Sequence, residues 1–339
     1  MPRWNPPRSE LSPAGFSSAE SELAGFARAA HPRSGLPRWK LKVAYDGTAF
    51  HGWQRQEPKD APPLRTVQGV LEEAVAALLG QRVDVVGASR TDTGVHAVGQ
   101  VAAFSADVRV PVARLANAIS ARLPRDVQVV EAEQVSETFN PIGDARSKCY
   151  RYTIEHTSHP HNPWPLFDRN FVFSTPHTLD LDRMQRAASL MVGTYDCASF
   201  TQVDHGRTTT VRSVYDCVVR SPAPRRVEIE ICASGFLYNM VRIVAGTLFE
   251  VGRGRIEPSA ITEIRDARDR TRAGPTLPPQ GLCLRWIWYG APRMKAGESA
   301  EGGDVVPGEG EGEGEGEGEG EGESGLKSRA ETNRISTAE

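Results

Sequence analysis

At 339 residues the chain has room for one large or two ordinary domains and a substantial core. The formal net charge is −3, but 13 of the 43 acidic residues and only 5 of the 40 lysines and arginines fall in residues 291–339, so the preceding body is net basic. A basic body permits a polyanionic partner without demanding one. The absence of any stretch near the ~20 apolar residues of a bilayer span argues against a membrane protein.

Residues 1–37 mix Pro, Ser, Gly, Arg and Glu without a sustained apolar period and are expected to form a disordered extension. Glu10, Glu20 and Glu22 argue against an organelle transit peptide. Trp39–Tyr45 alternates as a half-buried strand and turns at Asp46-Gly47. Phe50 to Gln56 is a mixture of aromatic, amide and guanidinium side chains that suits base and phosphate contacts or the packing of a hairpin tip. Thr66–Leu79 carries apolar residues at helical spacing, with Thr66 as N-cap and Gly80 as stop. Strands follow at Val83–Val86 and Val98–Phe104, then a helix from Val112 to Leu123 and a strand at Val127–Val130.

The second half repeats the pattern. Strands are expected at Cys149–His156, Phe171–Phe173, Val211–Val219, Val227–Ile231 and Leu282–Tyr289. Helices are expected at Leu181–Met191, Leu237–Val251 and from Ser259. The fold class is therefore α+β: two ferredoxin-like (RRM-like) halves, 38–145 and 146–290, with antiparallel sheets joined around a central cleft and one sheet face free to bind. From Gly308 to Glu323 the sequence is eight Gly-Glu pairs, so residues 291–339 are expected to be a disordered anionic tail.

Five cysteines, 149, 197, 217, 232 and 283, have no Cys-x-x-Cys spacing and no secretory leader before them, which points to reduced thiols and a cytoplasmic protein. His156, His159 and His161 cluster in a Pro-rich loop but lack a fourth ligand nearby, so no metal is expected.

The loop between the second and third strands reads Ser89-Arg90-Thr91-Asp92-Thr93-Gly94-Val95-His96. Asp-Thr-Gly can be a plain hairpin connection. A hard cation site would need more oxygen ligands than one carboxylate supplies. A lone nucleophilic or acid-base carboxylate, held ionised by a guanidinium, is the third reading.

Five fragments in order then carry a resemblance: Tyr45-Asp46-Gly47 with Phe50 to Gln56; Thr66-Val67-Gln68; Arg90-Thr91-Asp92 with Gly94-Val95-His96; Tyr150-Arg151-Tyr152; and Met240-Val241-Arg242. Over roughly residues 39–290 the chain resembles the TruA-type tRNA pseudouridine synthases. The resemblance implies an isomerase that converts uridine to pseudouridine in the tRNA anticodon stem-loop (tRNA positions 38–40), works without a cofactor, and acts as a homodimer. It implies Asp92 as the nucleophile, Arg242 as the guanidinium that pairs with it and keeps it ionised, and Tyr150 as the residue that stacks on the base and relays the C5 proton. Arg90 would help extrude the uridine, with Thr91, His96, Arg55 and Leu284 completing the substrate site. Whether the route is a covalent acylal or a glycal stays open.

This chain departs from the family pattern at three places. Ser89 and Thr93 stand where Gly and Ala are usual, and Ile142 stands where an arginine is usual, in Phe139-Asn140-Pro141-Ile142. The alternative to an enzyme is a non-catalytic RNA-binding or tRNA-folding module, for which the basic body and scattered aromatics would suffice.

Overall fold

The computed structural model describes residues 35–59, 61–156, 165–202 and 209–290. The extension up to residue 34, His159, His161 and the Gly-Glu tract lie outside the described residues.

The strands are β1 (Arg38–Tyr45), β2 (Val86–Gly87), β3 (His96–Ser105), β4 (Val127–Val135), β5 (Ser147–His156), β6 (Phe173–Thr175), β7 (Gly193–Asp196), β8 (Val211–Ala223), β9 (Arg226–Ala233) and β10 (Leu282–Trp288). The helices are α1 (Val67–Leu79), α2 (Val112–Ser120), α3 (Leu181–Ser189), α4 (Met240–Gly252) and α5 (Ala260–Ala267). This is an α+β protein built on one large sheet in the order β4-β1-β3-β10-β5-β9-β8-β7, with β2 beside β3 and β6 beside β5. Among the described residues no helix is long and apolar enough to cross a membrane.

The strands of the two expected halves join edge to edge in one sheet. The last strand among the described residues, β10, inserts at the centre, parallel to β3 (Cys283↔His96, Leu284↔Ala97) and antiparallel to β5, so the two groups of strands share one hydrogen-bonded ladder. A strand whose two neighbours were made far earlier leaves no local signal of its pairing.

Strand alternation sends Tyr150, Tyr152 and Ile154 of β5, with Ile229 and Ile231 of β9, into the main core shared with the helices. The opposite face holds a small cluster of Cys149, Cys232 and Trp286. Salt bridges also cross neighbouring strands: Lys42–Glu131, and Arg151 with Glu228 and Glu230. That face is a mosaic of charges of both signs.

Helix α1 starts as expected. The Thr66 hydroxyl accepts from Gly69 N–H, a cap worth about 1 kcal/mol, and Gly80 ends the helix. Helix α4 begins later than the apolar run suggests, because Asn239 has φ 58 and breaks the helical path just before Met240. Strand β7 was not expected. Its four residues carry too little pattern to register.

Candidate active site

Asp92 sits on the loop that enters β3, at the centre of the sheet. Two packed segments fix that loop. Residues 47–56 fold over it: Trp53 N–H donates to Thr91 O (3.0 Å) and Gly94 N–H to Phe50 O (3.3 Å). Gly52 makes this approach possible, since it has φ 88 and a Cβ there would lie 2.6 Å from the Thr91 carbonyl oxygen. From the other side, Pro279, just before β10, packs on Gly94.

Side chains then lock the loop. The Thr91 hydroxyl shares a hydrogen bond of 2.8 Å with the Tyr45 phenol. Gln100, fully buried on β3, accepts from Ser89 N–H (3.2 Å) and donates to Ser89 O (2.6 Å). His96 is buried and has partners on both ring nitrogens: Gly47 N–H donates to Nδ1 at 3.0 Å, and Nε2 lies 2.8 Å from Asn170 O. That pattern fits a neutral ring with its proton on Nε2.

Burial pushes the His96 ring below its ordinary value of 6.5, against an opposing pull from Asp46. A depressed imidazole contributes stability above its unfolded pKa and loses it as pH falls through the folded value. His96→Ala is therefore expected to cost about 2 kcal/mol at neutral pH through two lost buried hydrogen bonds, with the deficit narrowing toward about pH 5. Urea midpoints of the two proteins at both pH values measure this.

The carboxylate itself is one-third exposed, and its partner arrives from α4: Arg242 Nη1 lies 3.7 Å from Asp92 Oδ2. That distance is an ion pair without a hydrogen bond. The guanidinium's hydrogen bonds go elsewhere, from Nε to Leu277 O (2.6 Å) and from Nη1 to Asn239 Oδ1 (2.7 Å). Burial raises the Asp92 carboxyl above its ordinary value, and the Arg242 charge opposes this. Desolvation thus outweighs the guanidinium and the net shift is upward.

Tyr150 stands on β5 with Leu284 of β10 as its register partner. Its phenol shares a 3.0 Å hydrogen bond with the Ser89 hydroxyl, and its ring meets Phe236 edge-on at 5.1 Å. Burial raises the phenol's pKa, and the Asp92 charge adds to the shift. The structure thus gathers Asp92, Thr91, Arg242, Tyr150 and Leu284 about the centre of the sheet.

The remaining expected residues are placed differently. Arg90 is exposed on the loop, two residues before Asp92. Arg55 pairs with Glu72 (2.7 Å) and Glu57 (3.4 Å). Ile142 is half-buried in a turn where Asn140 Oδ1 accepts from the N–H groups of residues 142 and 143. A surface concavity of about 550 Å³ lined by Arg183, Arg186 and Glu257 contains none of the residues around Asp92.

Sequence reading missed Tyr45 as a partner of Thr91, Ser89 as a partner of Tyr150, Gln100, Asn239 and the Leu277 carbonyl. Asn239 directly precedes the Met240-Val241-Arg242 fragment, so its place in the sequence is the one signal it offers. A backbone oxygen such as Leu277's has no signature at all. Among the described residues no group of three or more His, Cys, Asp or Glu is placed to hold a metal ion.

Comparison with known proteins adds an independent line. Residues 42–141 and 187–289 match the family model described as tRNA pseudouridine synthase. The chain is 42% identical over 249 residues to tRNA pseudouridine synthase A of a Thermoanaerobacter species, covering 74% of this chain and 98% of that protein. Similar coverage holds for tRNA pseudouridine synthase A of Acetivibrio thermocellus at 42% identity and tRNA pseudouridine synthase A 2 of Clostridium perfringens at 36%.

Proposed function

Since the chain belongs to the tRNA pseudouridine synthase family, we propose that it isomerises uridine to pseudouridine in the anticodon stem-loop of tRNA, at positions 38–40, with Asp92 as its nucleophile. The observation that carries the assignment of Asp92 is its placement: a partly exposed carboxylate on a loop fixed from both sides, with a guanidinium 3.7 Å away that does not hydrogen-bond to it.

The chemistry asks little more. Uridine and pseudouridine contain the same atoms; the C1′–N1 bond breaks, the base turns, C1′–C5 forms, C5 loses a proton and N1 gains one. No electrons change hands and no outside group is transferred, so the reaction calls for no redox or group-carrying cofactor. Asp92 acts either by attack on C1′ or by taking a C2′ proton, and both routes need its ionised form. Arg242 favours that form by its charge. Tyr150 presents a phenol, held by Ser89, to receive or relay the C5 proton. Leu284 supplies apolar support beneath the base, and Arg90, exposed on the same loop, fills or holds the extruded nucleotide's place. Thr91 and His96 act by fixing the loop. Arg55 is assigned to the phosphate path from its partly exposed position.

The two halves, 38–145 and 146–290, read as related ferredoxin-like units. The reading is supported by their strand orders, β4-β1-β3-β2 and β10-β5-β9-β8, which repeat one pattern. A cytoplasmic homodimer with tRNA spanning both subunits completes the reading.

Incubating the purified protein with unmodified tRNA, without added metal or cofactor, tests the function. Pseudouridine mapped by chemical labelling should appear in the anticodon arm alone. Binding without product across a full tRNA pool would favour a non-catalytic RNA-binding module.

A further inference from the structure

We propose that Asn239 is a positioning residue that tethers Arg242 and holds its guanidinium one hydrogen bond short of Asp92. The proposal rests on the reading of Asp92 as nucleophile. An asparagine at a helix N-cap ordinarily turns its side chain back to accept from the first-turn N–H groups. Asn239, at the N-cap of α4, makes no such bond and takes a left-handed φ of 58, a conformation in which a non-glycine residue is strained.

The side chain is used elsewhere. Its Oδ1 accepts from Arg242 Nη1 at 2.7 Å and its Nδ2 donates to Gln202 Oε1 at 2.9 Å, with the residue 9% exposed. The amide is thereby oriented from both ends. Together with Leu277 O, Asn239 gives the guanidinium two neutral acceptors. Neutral oxygens bind the donors without cancelling the charge. The positive field reaches Asp92, while the hydrogen bonds that would occupy its lone pairs are withheld.

Attack by a carboxylate needs those lone pairs. A bidentate arginine would stabilise the anion and make it a poorer nucleophile. The tether separates the two effects of a guanidinium, keeping the electrostatic one and suppressing the other.

Without the tether, Nη1 loses its acceptor and Asp92 Oδ2, 3.7 Å away, is its ion-pair partner. Asn239→Ala is expected to let the guanidinium close on Asp92. The single-turnover plateau should fall about tenfold, while the acid limb of the pH–rate profile moves to lower pH. Loosening of the site alone would do the opposite, because a retreating Arg242 leaves the carboxyl higher. Tyr150, beside Asp92, and Tyr152, beside Arg242, are both pushed upward by burial, so neither titrates on the acid limb.

Asn239→Gly removes the tether while relieving the left-handed strain, and guards against a folding defect; it should match the Ala variant kinetically. Asn239→Asp keeps an oxygen at the tether but makes it anionic, so it cancels the field at Asp92 and should move the acid limb to higher pH. The experiment is proton release from C5 of tRNA uridines under single-turnover conditions, from about pH 5 to pH 8, for all three variants and Asp92→Asn. A lowered plateau with the limb shifted down in the Ala and Gly variants, and shifted up in the Asp variant, supports the tether. An unchanged plateau, or a limb that stays or rises in the Ala and Gly variants, overturns it. An active Asp92→Asn protein would remove the reading of Asp92 itself, whereas an inactive one beside a wild-type-like Asn239→Ala overturns the tether alone.

Discussion

Asp92→Asn should form pseudouridine at least about 10³-fold more slowly than the parent while binding tRNA as well or better. The amide matches the carboxylate in shape, so the fixed loop, the Thr91–Tyr45 bond and the Gln100 bridge survive. Lost are the negative charge and the basic lone pairs. Since a carboxylate repels phosphates, its removal does not weaken binding. Stability supplies a second readout. Burial raises the Asp92 carboxyl in the folded protein, so its stabilising contribution is present below the ordinary value of 3.8 and is lost as pH rises through the folded value. At neutral pH the charged form therefore destabilises the fold, and Asp92→Asn should unfold at a higher temperature than the parent. The advantage should disappear below about pH 3.8. Single-turnover rates, filter binding and thermal melts at two pH values measure the three effects; an inactive variant that is also less stable at neutral pH would mean the loop itself had been damaged.

The second large effect is expected on α4, one helical turn beyond Arg242. Gly246→Ala should cost about 3 kcal/mol of stability or more, with most of the activity lost in the fraction that folds. A Cβ at Gly246 would sit 1.8 Å from the Pro275 carbonyl oxygen, and one at Gly274 would sit 2.6 Å from the Gly246 backbone. Two glycines thus let segment 273–277 lie directly on α4, where Gly274 N–H also donates to the Thr247 hydroxyl. Backbone meets backbone here, so no flexible side chain can yield. The crossing brings Leu277 O to Arg242 Nε, and pushing the segment away removes one of the two oxygens that hold the guanidinium. A urea titration together with the single-turnover rate tests this. A variant as stable as the parent would show that the segment can shift freely.

Legibility in the sequence followed the range of the interactions. Helix α1 was readable to within a residue, since Thr66, the apolar spacing and Gly80 are all local. The start of α4 was not, because an apolar run carries no mark of the positive φ at Asn239. β10 was recognisable as a strand, but its neighbours were not: its pairing with β3 is set by residues almost two hundred positions earlier. For the site, the loop offered a carboxylate with three open readings, and the five ordered fragments connected it to Arg242, 150 positions away. The upward shift of Asp92 could not be read in advance, since it depends on how much water the packed loop excludes. His96 illustrates the converse. A histidine near a carboxylate suggests a substrate contact, yet its nitrogens face Gly47 N–H, the Asp46 carboxylate and the Asn170 carbonyl, all within the protein.

The position of β10 also bears on how the protein is made. A ribosome adding roughly 5–20 residues per second delivers β1 to β4 on the order of ten seconds before β10. Until then β3 and β5 each lack the neighbour they have in the finished sheet, leaving unpaired edges where its middle will be. The nascent chain therefore carries its Asp92 loop without Pro279 against it and without the strand that joins it to Tyr150. The active site is completed only once β10 has been made, and until then the half-made sheet exposes edges on which a wrong strand can pair.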